Sequence, residues 1–154
     1  MLETPHAIVG AVIVSKIPNP IISLPLAFAS HFVLDMVPHW NPHLNTEIRN
    51  KGKISSTTTL IVAADVLLAI ISGVAISSLS LPDTTHAGFV LMGAFSGVLP
   101  DVVEAPYFFL GWKTKAIEKW LSFQKSIQSD TTPFAGLMTQ VATVLASIWW
   151  VIGG

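Results

Sequence analysis

The chain has 154 residues, enough for one domain, yet 51% are apolar, only 11% are Asp, Glu, Lys or Arg, and the formal net charge is −1. A soluble domain carries roughly a quarter of its residues charged, so with a mean hydropathy of +0.64 the bilayer is the expected solvent, and residues 1–154 read as a single integral-membrane domain, an all-α polytopic bundle. The near-neutral balance without a basic stripe excludes an electrostatic nucleic-acid binder, and the lack of cysteine excludes disulfides, thiolate ligands and a thiol nucleophile.

"MLETPHAIVG" has neither the basic start nor the small-residue cleavage site of a signal peptide, so Met1 reads as the mature start. The first apolar segment runs from about Pro5 to Ile17, with Thr4 as expected N-cap and Pro5 in the first helical position. It is too short to span comfortably, and "IPNP" breaks it, so it either crosses or folds back on the next segment as a re-entrant hairpin. Segment two covers Ile21 to about His39, segment three Thr57 to about Leu79, segment four about Ala87 to Leu110, and segment five Pro133 to Ile152. Each of these four holds close to the ~20 residues that cross a ~30 Å hydrocarbon core.

Between segments four and five, Ile117, Trp120, Leu121 and Ile127 are spaced for a short amphipathic helix on the membrane surface, with a solvated connector as the alternative. "GAFSG", Gly93 to Gly97, has the small-xxx-small spacing of close helix packing. Seven of the eight basic residues sit in two loops: Arg49, Lys51 and Lys53 after segment two, and Lys113, Lys115, Lys119 and Lys125 after segment four. Alternation puts both loops on one side, which the positive-inside rule makes cytoplasmic. Five crossings then place the N-terminus inside and the C-terminus outside. The expected location is the cytoplasmic membrane of a bacterium or archaeon.

Ionisable groups inside membrane segments are costly, at least ~2.5 to 3.5 kcal/mol near the bilayer centre, and call for partners or a function. On this topology His6, His31, Asp35, His39, Asp65, Asp101 and Glu104 all fall in the inner half of the bilayer, on four different segments. His43 and His86 read as loop residues. His31, Asp35 and His39 at four-residue steps share one helix face, but over eight residues that stripe rises ~12 Å, too long for one ion unless Pro38 bends the chain. Asp101 and Glu104, three apart between Pro100 and Pro106, face the same way. Packing alternatives exist for each: a histidine satisfied by an interhelical hydrogen bond, Asp101 bridging to Lys113, or Asp65 bonded to a neighbouring Thr or Ser.

"TPHAIVGAVI", "SHFVLDMVPHW" and "GVLPDVVEAP" resemble motifs of the small bacterial membrane-bound metal-dependent hydrolases of the YdjM type, through short stretches over about half of the chain. A second likeness is to zinc-dependent phospholipase C, an all-helical enzyme whose metals are held by His-x-x-x-Asp and His-x-x-x-Glu pairs. "HFVLD", His31 to Asp35, matches the first of these pairings.

The leading expectation is therefore a membrane-embedded, metal-dependent hydrolase with its site at the cytoplasmic side. Its expected ligands are His6, His31, His39 and Asp101, with Asp35 as a bridging ligand or an orienting partner that shares the catalytic role. Glu104 is the candidate general base for a water acidified by a divalent metal. Zinc suits such a donor set, with manganese and iron as alternatives. A substrate at this depth would be a lipid head group or a phosphorylated lipid. The rival expectations are a proton- or cation-relaying transporter, which needs a polar path to the outer side, and a non-catalytic membrane protein with a satisfied polar core.

Overall fold

The structure, a computed structural model, describes residues 1–153. Among the described residues all regular elements are helices: α1 (Glu3–Lys16), α2 (Pro20–Met36), α3 (Leu44–Lys51), α4 (Ser56–Ser78), α5 (Thr84–Leu110), α6 (Lys115–Ile127) and α7 (Pro133–Gly153). The all-α bundle is thus as expected. Three helices, α4, α5 and α7, are long and apolar enough to cross a membrane, and α2 is a shorter apolar helix. With 14 residues, α1 rises about 21 Å, short of a ~30 Å core.

This short helix is the centre of the bundle. Apolar on nearly all sides, it buries Ala7, Ile8, Ala11, Val12 and Val14 and packs against α2, α4, α5 and α7. Its closest neighbour is α5, and glycine makes the approach possible. A Cβ on Gly10 would run into the carbonyl of Gly93, and one on Gly97 into the carbonyl of His6. The small-residue spacing of "GAFSG" therefore seats α1 directly on α5.

The start of α1 departs from the expected cap. Thr4 lies inside the helix, and Leu2, at the N-cap, offers no side-chain bond. Asp65 of α4 does the work from a neighbouring helix: its carboxylate accepts from Glu3 N (2.6 Å), Thr4 N (3.1 Å) and Thr4 Oγ1 (2.7 Å). The first N–H groups of a buried helix have no water to bond, and a carboxylate satisfies both them and the positive end of the dipole. The other caps are local. Asn19 accepts from Ile21 N before α2, Ser55 from Thr58 N before α4, and Asp83 from His86 N before α5. His86, read from sequence as a loop residue, is consequently in the first turn of α5.

Pro38 ends the second segment early. Helix α2 stops at Met36, and Val37 is extended, as the residue before a proline tends to be. The extended chain that follows pairs with the segment leading into α7. His39 N donates to Ser129 O (3.0 Å), and Thr131 N donates to His39 O (3.0 Å). Gly136 of α7 lies against Trp40, while Gln140 donates to Trp40 O (2.8 Å) and accepts from Leu2 N (2.8 Å).

The connector after α2 holds one element without an apolar signature, α3, ended by Gly52 at φ 72°. Glu47 ties α3 to the start of α4, accepting from Ser55 N (3.0 Å) and Lys51 Nζ (2.9 Å), and these bonds hold its carboxyl down to about 2. The amphipathic stretch before α7 is the helix α6, not a solvated connector. It lies across the last turns of α2 and the Pro100–Glu104 stretch of α5, with Leu121 and Gln124 buried and Trp120 Nε1 donating to Pro100 O (3.1 Å).

Candidate metal centre

The start of α1, the last turns of α2 and the middle of α5 meet at the end of the bundle covered by α6. Each brings one motif residue. The ligating atoms of His6, His31 and Asp101 all lie within 4.8 Å of one another. Both histidines are fully buried, and Asp101 is partly buried, with a fifth of its side chain (20%) exposed. The two imidazoles stack, with centroids 4.0 Å apart and planes at 21°.

The tautomer of His31 follows from its bonds. Nδ1 lies 2.9 Å from the carbonyl of Gly97, which can only accept, so Nδ1 carries a proton. Nε2 then faces oxygens: Gln124 Oε1 at 3.0 Å, Asp35 Oδ2 at 3.5 Å and Asp101 Oδ1 at 3.6 Å. A lone pair aimed at oxygen lone pairs is repulsive, and a cation or a second proton between them removes the conflict. His6 is in a sharper position, because neither ring nitrogen has a hydrogen-bond partner although both are buried. Its Nε2 is 3.3 Å from Asp35 Oδ1 but out of line for a bond. An unpaired buried polar group costs about 1–3 kcal/mol, whereas an unpaired imidazole nitrogen is a ready metal ligand. Around a tetrahedral ion held at about 2.1 Å, donors stand roughly 3.4 Å apart; His31 Nε2 and Asp101 Oδ1, at 3.6 Å, are already near that spacing, and the group as a whole, within 4.8 Å, must close inward to hold such an ion.

Asp35 sits among all three histidines. Its Oδ1 touches the Met1 amino nitrogen and lies 3.3 Å from His6 Nε2 and 3.8 Å from His39 Nε2, and its Oδ2 faces His31. That position suits either role expected for it, ligand or orienting partner. His39 is outside the three-residue group. It left the helical stripe when α2 ended, its Nδ1 bonds to Val37 O (2.8 Å), and its buried Nε2 is unpaired. Glu104 lies one turn beyond Asp101 and accepts from Gln124 Nε2 (2.5 Å). Asp65, expected at the same depth as the other groups, lies beside the start of α1 and is engaged in capping it, and the bond to a neighbouring Thr expected as its packing alternative is made, to Thr4.

Two participants escaped the sequence reading. Gln124 bridges the whole site, with its oxygen on His31 and its nitrogen within reach of Pro100 O (3.3 Å), Asp101 Oδ1 (3.3 Å) and Glu104. A faint signal existed: Gln124 falls on the same face of α6 as Trp120, Leu121 and Ile127, a polar residue in an apolar stripe. Glu3 is the other, with Oε2 buried and unpaired, and an acidic residue at a helix start is too common to have marked it. The second pairing, His-x-x-x-Glu, occurs at His43 and Glu47, outside the apolar segments. Glu47 is bound to Ser55 and Lys51 there and takes no part in the site.

A cavity of about 530 Å³ adjoins the group, bordered at its polar end by Glu3, Asp65, Asp101 and Glu104. Residues of both basic connectors, His43 and Lys125 among them, line the same end. Comparisons with protein-family models, with curated proteins and with solved structures return no match.

Proposed function

We propose that this protein is an integral-membrane, metal-dependent hydrolase whose centre is the His6–His31–Asp101 group. The observation that carries the reading is the unpaired, fully buried imidazole of His6, stacked on a histidine whose Nε2 also faces only oxygens. Convergence adds support: each of the three short motifs that resemble the membrane-bound metal-dependent hydrolases contributes one residue of the group. Zinc is the metal proposed, since two imidazoles and a carboxylate leave a fourth position open. A divalent ion held there would supply Lewis acidity and lower the pKa of a water at the site.

In this reading Glu104 is the general base, and Gln124 holds its carboxylate toward the group. Hydrolysis of an ester adds water to the central carbon or phosphorus and breaks the bond to the leaving oxygen. Glu104 takes one proton from that water and returns it to the leaving oxygen. Asp35 keeps the two histidines oriented. The basic connectors at this end, by the positive-inside rule, turn the site toward the cytoplasm.

Metal analysis of detergent-purified protein tests the proposal. Stoichiometric zinc is expected in the wild type and its loss in His31→Ala and Asp101→Ala, with helical content unchanged. Wild-type protein that binds no divalent metal when zinc, manganese or iron is supplied would sink it.

A further inference from the structure

The cavity beside the metal group does not end there. Helices α4 and α5 form an antiparallel hairpin that is closed at the far end, where Ser77 Oγ donates to Ala87 O (2.8 Å) and Gly73 packs on Ala94. Toward the site the two helices part, because both lean on α1 more than on each other. The gap is a groove floored by Ala7 of α1 and walled by Val66 and Ile70 of α4 and by Phe95, Val98 and Val102 of α5. From Leu91 to Asp101 it runs ten residues along α5, about 15 Å. Most wall residues are about half exposed, Val66 at 40% and Val102 at 43%, so the groove opens sideways between two helices long enough to cross a bilayer.

We infer that this groove holds the hydrocarbon chain of a membrane lipid, entering sideways from the bilayer with its ester head group at the Asp101–Glu104 end. The head-group part rests on the hydrolase reading, while the chain part does not. Three observations choose the occupant. A polar solute in the upper groove would find no charged side chain and would lose its bonds to water. The volume suits a single chain, being within the ~300–1,000 Å³ of small-ligand sites. Moreover, the apolar groove is continuous with the polar group through Asp101, so an amphiphile matches both ends at once. The lateral mouth faces the medium in which such molecules are dissolved.

The test is photolabelling in nanodiscs of phosphatidylethanolamine and phosphatidylglycerol doped with phosphatidylglycerol carrying a diazirine on one acyl chain. Labels mapped by mass spectrometry are expected on Val66, Ile70, Val98 and Val102 in excess over Leu137 and Leu145, exposed residues of α7. Val66→Trp and Val102→Trp, both half-exposed positions that tolerate bulk, should cut groove labelling about tenfold, the loss that follows from displacing two methylenes. Leu145→Trp should leave it unchanged. Labels no denser in the groove than on α7, or indifferent to the tryptophans, would overturn the inference. So would a dimeric mass in the nanodisc with the groove unlabelled, which would mean that a second copy covers it. Labelling needs no metal: groove labels on protein that binds no metal sustain this inference while the hydrolase reading fails, and metal-loaded protein without them does the reverse.

Discussion

Asp65 shows how one residue type can carry two meanings at the same end of a helix bundle. By position it belonged with the site carboxylates, but its oxygens are taken up by the N–H groups of Glu3 and Thr4 and by the Thr4 hydroxyl. Removing it leaves two partly buried donors without partners, at up to about 1–3 kcal/mol each. Asp65→Ala should therefore lower the thermal unfolding midpoint in detergent by several degrees. Asp65→Asn, whose amide oxygen still caps, should recover most of the loss and keep full metal content, which a ligand role for Asp65 would not permit. Gln124 is the opposite case, a residue of ordinary polarity that became central because α6 lays it over His31, Asp101 and Glu104.

Among the elements, the α1–α5 contact governs the site. Gly97 does two things there: it lets the backbone of His6 approach, and its carbonyl fixes the His31 tautomer. A methyl group at this position meets backbone, which cannot rotate away, so α1 must shift. Gly97→Ala is expected to destabilise by about 1–3 kcal/mol, in the range of overpacked cores, and to lose metal together with stability. Gly88→Ala, in the same helix with open space around its Cβ, should be neutral or slightly stabilising, since glycine weakens a helix interior by roughly 0.5–1 kcal/mol relative to alanine. Thermal unfolding and metal content measured on both variants separate close packing from helix propensity.

For the molecule as a whole, the polar group, the start of α1 and both basic connectors share one end, and α7 leaves from that end toward Gly153. Reporter fusions within the Lys51–Lys53 connector and after Lys113 should read cytoplasmic, and one at the C-terminus should read external. A cytoplasmic C-terminus would overturn the proposed orientation.

The apolar excess, the helical segments and the gathering of His6, His31, Asp35, Asp101 and Glu104 at one depth were legible in the sequence, since hydropathy, proline breaks and the placement of lysines are local or additive signals. So was a break in the chain direction at Pro38, which in the structure is where His39 leaves its helix. What only the tertiary structure decided was which of those groups meet. His6 joins His31 and Asp101 because glycines on two helices allow backbones to touch, and Asp65 is diverted because a buried helix start lies beside it. Gln124 and the α4–α5 groove depend on how α6 and α1 are laid against other helices. Such contacts join residues far apart in the chain, and no spacing along one segment encodes the distance between two.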